Sequence, residues 1–134
     1  KRLFDLVKPE YAIFGEKDFQ QLFLIKKMVS ELNLPIKIID APIIRDGDGL
    51  ALSSRNIRLS ETGRKSALVI SRSLREGKHD INKVRNILAD EPNFTLDYAE
   101  VIDSDTFEIA SKKSKNLRTI IAGWVDGVRL LDNA

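Results

Sequence analysis

The apolar residues in the first third of the chain occur in two patterns, short continuous runs and a longer stretch at helical spacing. The short run YAIF at 11–14 is uniformly apolar, which favours a buried strand. From Phe19 to Leu32 the apolar residues recur at helical spacing, and Pro35 prevents the helix from resuming. IKIID at 36–40 predicts a second strand. A strand, a helix and a strand in this order indicate a βαβ unit with two parallel strands.

The pattern changes in the remainder of the chain. Residues 41–60 are irregular and rich in Gly, Asp, Ser and Arg, and helices are predicted over 61–77 and 80–91, the second with Asp80 as N-cap. The face of the first of these helices is expected to comprise Ala67, Leu68, Ser71 and Leu74. Strands are predicted at 95–102, 117–125 and 128–133, the last two joined by the tight turn Asp126-Gly127. These elements indicate an α+β module of two helices and about three antiparallel strands.

Composition narrows the class of protein without identifying it. The chain has 134 residues, 43% of them apolar, a net charge of +2, no cysteine and one histidine. A packed core is therefore expected, nucleic acid is not expected as a main partner, and thiolate chemistry is excluded. No segment predicts a membrane helix or a signal peptide, so we expect a soluble, cytoplasmic protein. We assign no role to His79, and we expect a plain surface helix at 79–92 and packing roles for Tyr98 and Trp124.

The segment FGEKDFQQL, at 14–22, spans the predicted junction between the first strand and its helix. A helix N-terminus offers unpaired N–H donors and a partial positive charge, and Gly15 and Lys17 would add close approach and an ammonium group. These features suit a phosphate or a carboxylate. The spacing of Asp18 and Gln21 also fits a capping box, in which Asp18 serves only the helix and Lys17 is solvated. Both interpretations stay open.

The segment DGDGLALSSRN, at 46–56, is a second candidate site. Gly47 and Gly49 allow unusual backbone angles, and the stretch Leu50–Leu52 could pack under a core. The four residues 53–56 then supply two hydroxyl groups, a guanidinium and an amide, a set that can surround a polyphosphate. The alternative is an ordinary glycine loop with helix-capping serines. A serine nucleophile is not expected, because nothing connects His79 to these serines.

Together these segments resemble the pantothenate synthetase family. FGEKDFQQL, PIIRDGDGLALSSRN and the final VRLLDNA occur in the family's order and spacing, and LDYAEVID is similar to a central strand of its C-terminal domain. The resemblance implies an α/β fold: residues 1–43 would end a Rossmann-like nucleotide-binding domain of the class I nucleotidyl-transferase type. Residues 44–134 would form a C-terminal α+β lid domain.

The resemblance also implies an ATP-dependent ligase that joins pantoate to β-alanine through a pantoyl-adenylate, with release of AMP and pyrophosphate. Mg²⁺ would be bound through the ATP phosphates and no metal site would be needed in the protein. The residues implied in ATP binding are Gly15, Glu16, Lys17, Asp18, Ile44, Leu52, Ser53, Ser54 and Arg55. Those implied in catalysis are Lys17, Ser53, Ser54 and Arg55, while Gln21 would bind pantoate.

The sequence departs from the family in one respect. The family carries an H-x-G-H type motif early in its chain, whereas this sequence has His79 alone. The first residues, KRLFDLVKP, also read as the end of a helix. We therefore expect the C-terminal half of such a ligase, inactive or nearly so by itself, with homodimerisation implied by the resemblance. The alternatives are a nucleotide-binding module without chemistry and a structural or dimerisation fragment.

Overall fold

The computed structural model describes all residues from 1 to 134 and divides the chain into two compact units. Unit 1 is Lys1–Ile43 and unit 2 is Ile44–Ala134. Among the helices of both units, none combines the length and the apolar character that crossing a bilayer requires.

Unit 1 is a βαβ unit preceded by a short helix. Its elements are α1 (Arg2–Val7), β1 (Tyr11–Gly15), α2 (Phe19–Glu31) and β2 (Lys37–Ala41). The two strands pair in parallel, with Tyr11 opposite Lys37 at one end and Gly15 opposite Ala41 at the other. The prediction of a parallel βαβ unit is thus confirmed.

The burial of unit 1 differs from the expectation. Leu22 on α2, 1% exposed, is the unit's one buried residue. The prediction of a buried strand is wrong for β1, because Ala12 and Phe14 are half-buried while the alternate side chain of Ile13 is 68% exposed. Successive side chains of a strand point to opposite faces, and only one face of β1 is covered. Phe14 on the covered face also meets Phe4 edge to face, with ring centroids 6.2 Å apart.

Unit 2 contains the remaining elements. They are a 3-10 helix (Ser54–Arg58), α3 (Glu61–Gly77), α4 (Ile81–Ala89), β3 (Thr95–Asp103), β4 (Leu117–Val125) and β5 (Val128–Asn133). The strands form an antiparallel sheet in the order β3-β4-β5. Asp126 and Gly127, with φ angles of 52° and 73°, form the turn between β4 and β5, as predicted from this dipeptide. The α+β module is therefore confirmed.

The core of unit 2 lies between its two long helices and its sheet. It contains Leu50, Ala67, Val69, Ile70, Leu74, Val84, Leu88, Phe94, Ala99, Ile121, Val125, Val128 and Leu130. On α3 the prediction is right for Ala67 and Leu74, while Leu68 and Ser71 are only half-buried. The buried stripe of α3 comprises Gly63, Ser66, Ala67, Val69, Ile70, Ser73, Leu74 and Gly77. The inward face is therefore rotated from the one that the sequence predicts.

Helix α4 is not a plain surface helix. Val84 and Leu88 are fully buried, four residues apart on one face. A Cβ atom at Gly77 would lie 2.5 Å from Val84 Cγ2 and 3.0 Å from the Val84 nitrogen. The absence of a side chain at Gly77 lets α3 and α4 approach closely. Asp80 caps α4 by accepting from the Lys83 N–H at 3.1 Å, as predicted.

Trp124, Tyr98 and His79 differ in their exposure and in their contacts. Trp124 is exposed, so it is not a core residue. Tyr98 is half-buried beneath the Arg129 guanidinium, whose carbon lies 5.9 Å from the ring centroid. His79 is exposed, with its Nδ1 3.3 Å from the hydroxyl of Thr119. The paired Asp97 carboxylate raises the pKa of Arg129.

Candidate functional site

The strand-to-helix junction of unit 1 is built by β1 and α2. Gly15 ends β1, and Asp18 is the N-cap of α2, where its carboxylate accepts from the Gln21 N–H at 3.1 Å. The capping interpretation is therefore confirmed for Asp18. Gln21 makes no return bond: its side chain is exposed and has no hydrogen-bond partner. Glu16 and Lys17 are half-buried in the turn, and the Glu16 N–H donates to Ala41 O at 2.8 Å.

An open cleft of about 400 Å³ runs beside the first turns of α2. It is lined by Asp18, Gln20, Gln21, Leu24, Ile25 and Met28. Polar groups lie toward the junction and aliphatic side chains follow along the helix. A small molecule with polar groups at one end and an apolar body at the other matches this lining.

Gly15 is a glycine without a structural need inside unit 1. A Cβ atom there would meet nothing within 4 Å, and Gly15 is not among the glycines with a positive φ. Alanine would thus fit the fold. What glycine offers at this position is close approach of a ligand to the backbone.

The second segment forms a tight hairpin in unit 2. Leu52 N–H donates to Ile44 O, Asp46 N–H donates to Leu50 O, and both distances are 2.9 Å. Gly49, with φ of +95°, makes the turn, whereas Gly47 has no positive φ. Leu50 is buried as expected and Leu52 is 46% exposed, so the expectation of packing fails at the second leucine.

The segment Ser53–Arg55 follows this hairpin at the surface. Ser53 is the N-cap of the 3-10 helix and accepts from the Arg55 N–H at 3.2 Å, so the helix-capping role of this serine is confirmed. Ser54 and Arg55 are exposed, and the Arg55 guanidinium makes no ion pair. Ile44, beside Leu52 in the hairpin, is also exposed. A cation and hydroxyl groups are therefore presented next to a small apolar surface.

Helix α3 secures the turn of the hairpin. Arg64 Nη2 donates to Asp46 at 2.7 Å and Arg64 Nε donates to Asp48 at 2.8 Å. The bond from Arg64 and the bond from the Leu50 N–H lower the pKa of Asp48. The bonds to Asp46 and Asp48 raise the pKa of Arg64. Both carboxylates are therefore engaged with Arg64, whereas Arg55 is exposed and forms no ion pair with them.

The hairpin has a second anchor that the sequence does not predict, the ion pair between Arg45 and Asp132. Arg45 donates two bonds to the carboxylate, at 2.6 and 2.9 Å, and a third to Gly49 O at 3.2 Å. The charged run R-D-G-D is a local signal that the glycine loop carries ion pairs. Asp132 lies 87 positions away at the end of β5, and no local sequence pattern indicates that it pairs with Arg45.

Ser54 and Arg55 thus expose a hydroxyl group and a guanidinium that can bind an anion, whereas Lys17 of the junction is half-buried. No three His, Cys, Asp or Glu side chains come together in a way that could hold a metal ion.

Comparison with solved structures identifies the class of protein first. The chain matches the crystal structure of pantothenate synthetase from Thermus thermophilus with a TM-score of 0.91 and 38% identity, over 99% of this chain and 52% of that one. It also matches the pantoate-beta-alanine ligase of Francisella tularensis, solved with beta-gamma ATP and beta-alanine. The TM-score there is 0.72, with 32% identity over 99% of this chain and 46% of that one. The chain therefore has the α/β fold of about half of these solved proteins.

The family follows from the sequence comparison. The model of the family described as pantoate-beta-alanine ligase matches residues 1–134, and the chain belongs to that family. It is 43% identical to the pantothenate synthetase of Clostridium botulinum, strain Loch Maree, over 98% of this chain and 51% of the relative. Identity to the enzyme of Caldicellulosiruptor bescii is 42%, with the same coverage. The chain spans about half the length of these curated relatives.

Proposed function

We propose that this chain is part of an ATP-dependent ligase that condenses pantoate with β-alanine to pantothenate. The observation that carries the proposal is the family match over residues 1–134, within which both candidate segments lie at the surface. The Francisella relative, solved with beta-gamma ATP and beta-alanine, supports ATP and β-alanine as substrates. In this proposal unit 1 is the end of a Rossmann-like nucleotide-binding domain and unit 2 is a lid.

The junction of unit 1 would bind ATP and pantoate. The backbone at Gly15 and Glu16 and the ammonium of Lys17 would contact the nucleotide, with Lys17 on the phosphates and Asp18 on the ribose. To contact the ribose, the Asp18 carboxylate would either give up the hydrogen bond from the Gln21 N–H or accept from both groups. The unpaired amide of Gln21 would bind pantoate, whose methyl groups match the aliphatic lining of the cleft beside α2.

The loop of unit 2 would bind the rest of the nucleotide. The hydroxyl groups of Ser53 and Ser54 and the guanidinium of Arg55 would hold the phosphates. Ile44 would contact the adenine through its backbone, and Leu52 would belong to the phosphate loop with these residues. An exposed guanidinium without an ion pair can form two bonds to one phosphate, which the engaged Arg64 cannot do.

The chemistry needs positioned positive charge and no nucleophile on the protein. A carboxylate oxygen of pantoate attacks the α-phosphorus of ATP, an O–P bond forms and the bond to pyrophosphate breaks. The amine of β-alanine then attacks the acyl carbon, a C–N bond forms, AMP leaves and the nitrogen loses a proton. Lys17 and Arg55 would stabilise the negative charge that builds on phosphorus in the first step.

Further features belong to the same proposal. Mg²⁺ would be bound through the ATP phosphates. The ligase would be a cytoplasmic homodimer. The 134-residue chain alone would have little or no turnover. The alternative is a non-catalytic nucleotide-binding or dimerisation fragment. The exposed apolar side chains of unit 1, such as Ile13 and Leu6, favour an interaction role of this kind.

A chimera tests the proposal. The chain is joined to the remaining, amino-terminal part of the Thermus thermophilus synthetase, and the product must melt cooperatively. With pantoate and no β-alanine, we expect exchange of pyrophosphate into ATP; adding β-alanine should then yield pantothenate and AMP. Lys17→Ala and Arg55→Ala should each reduce the rate by about 10²–10³, whereas Arg58→Ala on the same 3-10 helix should not.

Three outcomes would contradict the proposal. Unchanged AMP formation in Lys17→Ala and Arg55→Ala would remove both residues from the catalytic set. Exchange that requires β-alanine would contradict the adenylate. Turnover by the 134-residue chain alone at the rate of the chimera would contradict the proposal that the chain alone is inactive.

A further inference from the structure

The exposed segment Ser53–Arg55 has little packing of its own, yet its shape decides whether it can surround a phosphate. Its three residues are exposed or half-buried, and its only cap is the bond from the Arg55 N–H to Ser53 Oγ. The segment is held in place by residues on both sides of it, Asn56 and Arg45.

On the carboxyl side, Asn56 closes the segment into a loop. Its side-chain Nδ2 donates to Ala51 O at 3.1 Å, and its backbone N–H donates to Ser53 O at 3.0 Å. Asn56, directly after the segment, is thereby joined to Ala51, two positions before it. Its Oδ1 is buried without a hydrogen-bond donor, which is unfavourable for a polar group.

On the amino side, Arg45 fixes the hairpin from which the segment leaves. Arg45 pairs with Ala51 across the hairpin and holds Gly49 O, while both of its Nη atoms bind Asp132. The Asp132 side chain is 4% exposed, so this guanidinium neutralises a buried carboxylate as well as tying the hairpin to β5. The two anchors meet at Ala51, which is itself buried.

We infer that Asn56 and the Arg45–Asp132 pair are positioning residues, which hold Ser53–Arg55 in the shape that receives a triphosphate. The first part of this inference concerns the shape of the segment and stands on the contacts above. The second part rests on the proposed function. Neither Asn56 nor Arg45 needs to touch the ligand, because both side chains are already engaged within unit 2.

The test combines amide hydrogen exchange with ligand binding on the full chain. In Asn56→Ala we expect exchange at the N–H groups of Leu52 and Arg55 to rise at least tenfold, while exchange in β4 stays unchanged and the melting temperature changes little. The affinity for inorganic tripolyphosphate should fall at least fivefold. Arg58→Ala, which removes an exposed arginine of the same 3-10 helix, is the matched control and should leave the exchange rates unchanged.

A second variant avoids a buried, unpaired charge. The double substitution Arg45→Met with Asp132→Leu removes the clamp and both charges together, and such swaps are often close to neutral for stability. We expect it to raise exchange at Leu52 as Asn56→Ala does. Unchanged exchange in both variants would overturn the inference.

The remaining outcomes separate the inference from the function on which it rests. Raised exchange with unchanged tripolyphosphate affinity would overturn the link between shape and binding. If the unsubstituted chain does not bind tripolyphosphate, the phosphate role of the segment is wrong. The exchange rates would then still test whether Asn56 and Arg45 hold the segment in shape.

Discussion

The two units of this chain reach regular structure in different ways. Unit 2 encloses a core of thirteen residues between two helices and a sheet, whereas Leu22 is the one buried residue of unit 1. Unit 1 nonetheless has a regular parallel strand pair and a capped helix. Local hydrogen bonding can therefore define a βαβ unit whose apolar side chains, such as Leu6 and Ile13, remain exposed.

The difference extends to the two candidate sites. The loop of unit 2 is anchored by Arg45 and Arg64, which bind carboxylates of the same unit. The junction of unit 1 has the Asp18 cap, and the Gln21 side chain has no partner. We therefore expect the hairpin of unit 2 to be less mobile before any ligand binds than the side chain of Gln21.

Separating the units should have the largest effect. Residues 44–134 should fold alone and melt cooperatively, because their core is closed. Residues 1–43 should show no cooperative transition, because chains of about 40 residues rarely bury enough surface without further support. Circular dichroism melts of the two peptides measure this, and a cooperative melt of 1–43 would refute the contrast between the units.

Matched isoleucines probe the same contrast inside the intact chain. Ile121 on β4 is 1% exposed and Ile13 on β1 is 68% exposed. We expect Ile121→Ala to lower the free energy of unfolding by about 2–5 kcal/mol, since it removes buried methyl groups and leaves a cavity. Ile13→Ala should change it by less than about 0.5 kcal/mol. Urea unfolding followed by the fluorescence of Trp124 gives the value for unit 2, and equal losses would contradict the assignment of the core.

Much of the fold follows from local sequence signals. The βαβ period, the Asp80 cap and the Asp126-Gly127 turn depend on neighbouring residues, and all are confirmed. The anion-binding groups at Lys17 and Arg55 were also named from the sequence, and their ligand roles stay predictions.

What the sequence could not supply depends on contacts between distant residues. The bond of Arg45 to Asp132 crosses 87 positions. The apolar spacing of Ile81, Val84 and Leu88 gives α4 an inward face, but the close approach of α4 to α3 depends on Gly77, which lies on the other helix. The exposure of Ile13 could not be read from an apolar run either, because the run does not say which of its faces is covered.

A pair of glycines gives a smaller effect. Gly77→Ala should destabilise unit 2 by about 1–3 kcal/mol, because the new Cβ atom meets the side chain and backbone of Val84. Gly47→Ala is the control, since a Cβ atom at Gly47 meets nothing within 4 Å. Thermal melting of both variants tests this. A neutral Gly77→Ala would mean that the helix pair separates freely.

The smallest effect depends on pH. The hydroxyl and N–H of Ser60, both 2.8 Å from the carboxylate of Asp126, lower the pKa of that carboxyl. The stabilisation is therefore present above the unfolded value of about 3.9 and is lost as pH falls through the lower, folded pKa. Asp126→Asn should lower the melting temperature at about pH 7, and the difference from the unsubstituted chain should shrink toward about pH 2. Asp90→Asn, at an exposed carboxylate without a side-chain bond, should show no such trend.

The most direct test of the central claim is a titration of ATP–Mg²⁺ followed by amide NMR shifts of the full chain. The account predicts saturable shifts at residues 15–21 and 52–56, with the first set lost in Lys17→Ala and the second in Arg55→Ala. It also predicts that Gly15→Ala weakens binding without changing stability, since alanine fits there. Shifts confined to other residues, or identical shifts in the substituted and unsubstituted chains, would contradict the claim that these two segments bind the nucleotide.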